Sequence, residues 1–280
     1  MEMTVCLAAL CESDGNQLAV IASDRMVTLG NLIEFEHASP KMAYPSAQSI
    51  ALIAGDTLMG TRLAKEVETA LTGTNPRISD IASALGEKYT AKRQEAMEHA
   101  VLRPRGLDLN SFYGAHATLN QQITMMLDNA LSEFNLGVEL LLAGVDGDGA
   151  HVFSIHNPGG PEMQHDVIGY GAIGSGAIHA HQSLIGFGHH AGASFRDTLF
   201  RVYASKRRSE VAPGVGHETD VIVVTQTSRF HLDTDQVKEL SDLFDGYEDS
   251  TKASLKEKLD ELTIEVLESE GDNEPNDSND

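Results

Sequence analysis

The stretch Thr4-Val5-Cys6-Leu7-Ala8-Ala9-Leu10-Cys11-Glu12-Ser13-Asp14-Gly15-Asn16-Gln17-Leu18-Ala19-Val20-Ile21-Ala22-Ser23-Asp24 decides the fold. Its two apolar runs, Val5 to Cys11 and Leu18 to Ala22, are separated by Glu12-Ser13-Asp14-Gly15-Asn16, a turn-rich segment of the kind that joins hairpin strands. Both runs are apolar at nearly every position instead of alternating, the pattern of strands buried on both faces. The chain therefore opens with a hairpin in a sheet covered on each side. If Cys11 pairs with Gln17, antiparallel register sets Asp24 directly opposite Thr4, and a hydroxyl and a carboxylate share one sheet end.

Working outward, candidate strands at Lys41 to Tyr44 and Ser49 to Ala54 lead through Gly55 into a helix from Asp56 to Leu71, with Asp56 as N-cap. Ser79 to His99 and Leu119 to Phe134 read as helices, with Pro104 and Gly106 breaking the segment between them. A second hairpin follows, with Val138 to Val145 and His151 to His156 flanking Asp146-Gly147-Asp148-Gly149. Val167-Ile168 enters a glycine-rich stretch, Gly169 to Gly176, and helices are expected at Ala177 to Leu184 and Ser194 to Arg208. A last strand runs from Asp220 to Thr225, and Thr234 to Glu268 is largely helical. Strands, helices, strands, helices is the order that two sheets between two helix layers would produce, an α+β chain.

Size and charge narrow the function. The 280 residues, 41% of them hydrophobic, suffice for one large core, and no Pro- or Ser-rich linker divides them. One domain is expected over residues 1–269, with a helical insertion at about 94–134 and an extended C-terminal helix at about 234–268. Residues 270–280 hold no hydrophobe and read as a disordered acidic tail. The 20 basic and 42 acidic residues give a net charge of −22, which repels nucleic acid and anionic membrane surfaces. Cys6 and Cys11, the only cysteines, should point to opposite faces of one strand and cannot pair. No apolar stretch reaches membrane-spanning length, and Met1-Glu2-Met3-Thr4 lacks the charged and apolar regions of an export signal, so a cytoplasmic protein is expected.

Lys41 opens the next candidate strand, and since consecutive strands usually neighbour one another its ammonium is expected near Thr4 and Asp24. On spacing alone, a terminal threonine, a turn aspartate and a surface lysine account for the same residues at least as well. As an ordered set, however, Thr4-Val5-Cys6-Leu7-Ala8, Ala22-Ser23-Asp24-Arg25, Lys41, Ala54-Gly55-Asp56 and Gly174-Ser175-Gly176 resemble the motifs of proteasome β-type subunits, including the bacterial proteasome-related family called Anbu. The resemblance runs from about Thr4 to Thr225. It implies the four-layer αββα sandwich of the N-terminal-nucleophile hydrolases and a threonine peptidase needing no cofactor.

The resemblance also implies roles. Thr4, freed by loss of residues 1–3, would attack a carbonyl with its hydroxyl while its own α-amine serves as base, its pKa about 7.7 to 8.0 when unperturbed. Lys41 would be the cation beside that hydroxyl, and Asp24 would hold the ammonium in place. The Gly55 N–H would face the developing oxyanion. Ser175 would hydrogen-bond near the α-amine; as a residue on its own it reads equally as a turn serine. The implied partners are a peptide or unfolded-protein substrate, further copies of this chain in a homo-oligomeric ring, and an ATPase that unfolds substrates. The loop Ala212-Pro213-Gly214-Val215-Gly216-His217-Glu218-Thr219 departs from the family pattern, which places a further acid and serine there, and no catalytic residue is assigned to it. Two other readings share the chain: a ring-forming scaffold or binding subunit without hydrolysis, and an amide-transfer or acyl-hydrolysing enzyme using the same nucleophile.

Competing motifs are weaker. Gly169-Tyr170-Gly171-Ala172-Ile173-Gly174 matches a dinucleotide-binding pattern after a short strand, but no acidic residue ends a following strand some 20 residues on, and close packing explains the glycines. Eight of twelve histidines fall between His151 and His217, yet His179, His181, His189 and His190 lack metal-ligand spacing, and no metal is expected. Asp146 to Gly149 lacks the later positions of a calcium loop. Cys6 lies inside an apolar strand and reads as packing, not as a nucleophile.

Overall fold

A computed structural model describes residues 4–29, 33–36, 41–115, 118–160 and 162–262. The chain separates into two compact units, Met1–Val237 and Lys238–Asp280. The expected acidic tail at 270–280 and the last part of the expected C-terminal helix lie outside the described residues.

The opening hairpin is β1 (Cys6–Ser13) and β2 (Asn16–Asp24). Its register differs from the expected one by a residue: Cys11 faces Leu18, not Gln17, and Cys6 faces Ser23, so the next step along sets Asp24 against Val5 instead of Thr4. The reason is the turn. Asp14 and Gly15 alone form the loop, both with positive φ (51° and 77°), as a two-residue type I′ connection requires.

The first five-stranded antiparallel sheet runs β10-β1-β2-β11-β12, its remaining strands being β10 (Tyr170–Ile173), β11 (Thr219–Val224) and β12 (Arg229–His231). The second runs β5-β6-β7-β8-β9, formed by β5 (Met42–Ser46), β6 (Ser49–Gly55), β7 (Val138–Asp146), β8 (Gly149–Ile155) and β9 (Met163–Gln164). A small hairpin of β3 (Met26–Leu29) and β4 (Ile33–Glu36), unforeseen in the sequence, stands apart from both. The strand expected at Val167-Ile168 is a turn; the strand lies inside the glycine run, at β10.

The two sheets meet face to face. Cys6, Ala8, Leu10, Ala19, Ile21 and Ile222 of one pack with Ile50, Leu52, Leu141, Ala143 and Val152 of the other in a single buried cluster. On its far face the second sheet carries helices α1 (Thr57–Leu71) and α2 (Ile78–Met97), joined through Ala51, Ile53, Leu63, Val67, Ile81, Leu85 and Leu140. Asp56 caps α1 as expected, accepting from the Met59 N–H at 2.9 Å. The near-continuous apolar reading of β1 and β2 has its cause here, because the second face of the first sheet is covered by a helix. That helix, numbered α6 in chain order (Phe195–Ser209), contacts both strands and packs beside α5 (Ala177–Gly186).

Between α2 and β7 the chain makes one π-helical turn (Glu98–Leu102), then α3 (Leu109–Ala115) and α4 (Gln121–Ser132). This expected helical insertion builds a small core of its own from Met97, Leu102, Phe112, Leu127 and Leu131. The last described helix is α7 (Thr234–Asp260). Among the described residues no helix is long and apolar enough to cross a membrane.

Candidate functional site

Thr4 stands just before β1, Asp24 ends β2, and Lys41 immediately precedes β5. All three are buried, at 1%, 0% and 4% exposure. The Thr4 hydroxyl donates to Asp24 Oδ1, and Lys41 Nζ donates to Thr4 Oγ1 at 2.7 Å. The same ammonium lies 3.4 Å and 3.5 Å from the two Asp24 oxygens.

Lys41 does not arrive as expected. It belongs to the second sheet, so it reaches Thr4 across the gap between the two packed sheets and not from a neighbouring strand. Its carbonyl accepts from the Ile53 N–H at 3.0 Å, which seats it on β6.

Asp24 is fully buried and well supplied with donors. Oδ1 accepts from the Val5 N–H at 3.1 Å, and Oδ2 from the Met26 and Gly216 N–H groups at 3.1 and 2.9 Å. Three backbone donors, a hydroxyl and an ammonium compensate the loss of water that burial imposes on a carboxylate. The one-residue register offset has therefore not separated Asp24 from Thr4, because the side chain spans the difference.

Ser175, in the glycine loop, is hydrogen-bonded to the Thr4 backbone. The backbone nitrogen of Thr4 donates to Ser175 Oγ at 3.2 Å, and the Thr4 carbonyl accepts from the Gly176 N–H at 3.1 Å. Gly174 has φ of 87°, and a Cβ there would come within 2.5 Å of the Thr4 carbonyl oxygen. Gly169 likewise stands against the Ala191 backbone. The glycines of this run permit close approach, which is the packing account of the dinucleotide-like motif.

Gly55 ends β6 opposite Val138 with φ of 83°. Among the described residues no hydrogen bond joins it to Thr4, Asp24 or Lys41. Cys6 donates to the Ile53 carbonyl at 3.7 Å, and burial, with the Asp24 charge second, pushes its thiol up to about 12, so it remains a thiol at neutral pH.

The loop left unassigned in the sequence contributes most of what was missed. It brings the Gly216 N–H to Asp24 and the Pro213 carbonyl to Ser175 Oγ, at 3.3 Å. Backbone groups carry no residue-type signature, and only the glycine at 216 hints at close approach: a Cβ there would lie 2.7 Å from Glu36 Oε1. Lys206, on α6, sits beneath this loop with its side chain fully buried. Burial draws its ammonium below the usual lysine range, and Glu210 acts in the opposite direction. Among the described residues no cluster of His, Cys, Asp and Glu is arranged to hold a metal ion. Compared with protein-family models the chain matches none, and no curated protein matches it.

Proposed function

We propose that this chain is a proteasome-β-like subunit of the N-terminal-nucleophile hydrolase fold, a threonine peptidase whose nucleophile is Thr4. The observation that carries the reading is the buried contact of Lys41 Nζ with Thr4 Oγ1 at 2.7 Å, the same hydroxyl donating to Asp24. A threonine buried for packing alone needs one partner for its hydroxyl, not a buried ammonium and a carboxylate together. The ammonium on that hydroxyl lowers the cost of forming an alkoxide-like oxygen, while the Asp24 carboxylate, which by its charge alone would raise that cost, holds the ammonium in place.

In the proposed reaction residues 1–3 leave, and the Thr4 α-amine takes the place of the amide now 3.2 Å from Ser175 Oγ. The hydroxyl proton passes to that amine, directly or through water, while Oγ1 bonds to the substrate carbonyl carbon. The Gly55 N–H stabilises the resulting oxyanion. Collapse expels the amine half of the peptide with the proton, and water then hydrolyses the threonyl ester. The substrates are peptides or unfolded protein, admitted to a homo-oligomeric ring.

One observation favours a second reading, a ring subunit without hydrolysis. As the fourth residue Thr4 is 1% exposed, and its nitrogen is an amide that cannot act as a base. One experiment separates the two: intact mass and N-terminal sequencing of natively produced protein, followed by incubation with a peptide electrophile that traps nucleophilic hydroxyls. Peptidase action requires a chain beginning at Thr4 and one adduct per chain, mapped to Thr4. A chain retaining residue 1 or 2 and resisting the electrophile overturns it in favour of the inactive subunit.

A further inference from the structure

Lys206 is a lysine with no exposed side-chain surface, and all three of its protons have acceptors. Its Nζ donates to Glu210 Oε1 at 2.7 Å, to the Gly216 carbonyl at 2.8 Å and to the His217 carbonyl at 2.9 Å. Lysine ammonium groups are strongly hydrated and almost never fully buried without a partner, so a completely used one inside the protein is a fixed cation. Two of its three bonds go to consecutive carbonyls of one loop.

The other side of that loop faces the candidate site. The Gly216 N–H donates to Asp24 Oδ2 at 2.9 Å, and the loop's Pro213 carbonyl accepts from Ser175 Oγ. Outward, Glu36 Oε1 accepts from the His217 and Glu218 N–H groups at 2.6 and 2.9 Å, and His217 Nδ1 meets Glu210 Oε2 at 2.8 Å. A Cβ at Gly176 would meet Val5, Val215 and Ser209 between 2.8 and 3.1 Å, so the loop and the end of α6 are pressed against the start of β1. The peptide unit between 216 and 217 is thus held by its carbonyl from inside and by its N–H from outside, which fixes the direction of the N–H before it.

We propose that Lys206 is a positioning residue: its buried ammonium, anchored on Glu210, holds the Gly216 and His217 carbonyls so that the Gly216 N–H is aimed at Asp24 and keeps that carboxylate turned towards Thr4 and Lys41. The catalytic consequence rests on the peptidase reading of Thr4; the structural one does not. Lys206 touches neither the nucleophile nor substrate.

The test uses full-length Lys206→Met, which keeps the stem and removes the charge, with hydrogen exchange and kinetics measured on the same protein. Amides of residues 214–218 should exchange at least about tenfold faster while those of β1 and β2 are unchanged, since the opening is local. With active sites titrated, kcat should fall about tenfold at constant KM, the scale of one hydrogen bond to a charged group. Unchanged exchange at 214–218 overturns the proposal, and so does a variant kcat equal to that of an active wild type. If the wild type neither hydrolyses peptides nor reacts with the electrophile, the peptidase reading fails, and the exchange measurement alone decides the role of Lys206. Should the variant not fold, the wild-type lysine ammonium resonances decide: a slowly exchanging Lys206 ammonium with cross-peaks to Gly216 supports the proposal, and a freely exchanging one overturns it.

Discussion

At Thr4, Asp24 and Lys41 the chemistry is set by which groups can satisfy one another away from water. Removing Lys41 leaves Asp24 its three backbone donors, from Val5, Met26 and Gly216, but takes the cation from Thr4 Oγ1. Lys41→Ala is therefore expected to abolish peptide hydrolysis, by at least about a hundredfold if electrostatic stabilisation of the oxygen follows the usual scale. It should also destabilise the fold by about 3 kcal/mol, the lower range for breaking a buried pair, because those donors remain. Steady-state kinetics and urea denaturation of the purified variant check both, and full activity would remove Lys41 from the mechanism. At this scale the side chains were legible: Thr4, Asp24, Lys41 and Ser175 are distinctive residue types in an ordered set, and the structure brings them together. Gly55 was named by the same set, but among the described residues no hydrogen bond joins its N–H to the other four. The Gly216 N–H and the Pro213 carbonyl were not legible, because any residue type offers the same backbone groups.

Between elements, part of the pairing is written in the turn. Asp14-Gly15 is a two-residue hairpin signal, and giving it the whole loop would have paired Ser13 with Asn16, as the structure does. Lys41 illustrates the opposite limit, since the apposition of two sheets is a tertiary event that no strand-neighbour rule foresees. The loop joining α5 to α6 holds a consequence of the same kind. His189 is 7% exposed there, with the Tyr170 ring of β10 at 5.8 Å. Burial, with the Arg201 charge second, pushes it down from 6.5 to about 4. As pH falls below 6.5 the unfolded chain takes up this proton and the native chain does not, so stability present above 6.5 is lost towards pH 4. The loss approaches roughly 3 kcal/mol by linkage. His165 and His181, also lowered mainly by burial, lose stability in the same window, while His151, raised by Asp166, opposes them. The His189 share is isolated by comparing urea unfolding of wild type and His189→Leu at pH 7.5 and 4.5. The variant should lose distinctly less stability over that interval, and equal losses would show that His189 does not stay neutral in the fold.

For the molecule as a whole, the term most directly readable from composition is charge. A net −22 on 280 residues is legible without any structure. It is also a cost, because like charges confined to a compact state repel more than on an expanded chain. Surface ion pairs such as Arg62–Glu66, Lys65–Glu68 and Arg103–Glu98 do little to offset it, since exposed or partly exposed pairs contribute little. Screening should therefore stabilise the protein. Between about 0.01 M and 0.15 M salt the Debye length falls from roughly 30 Å to 8 Å, shorter than most separations between surface charges, and to about 3 Å at 1 M. The thermal midpoint at pH 7 should accordingly rise by several degrees, with most of the gain complete by about 0.2 M NaCl, because beyond that little repulsion remains to be screened. The shape of the curve is the test. A midpoint that climbs evenly to 1 M reports exclusion of salt from the surface, which needs no net charge. A flat response below 0.2 M would mean that attraction between neighbouring opposite charges, screened to the same degree, already balances the repulsion. Measuring the sedimentation coefficient at each salt concentration keeps self-association, which screening also favours, from being mistaken for stability of the single chain.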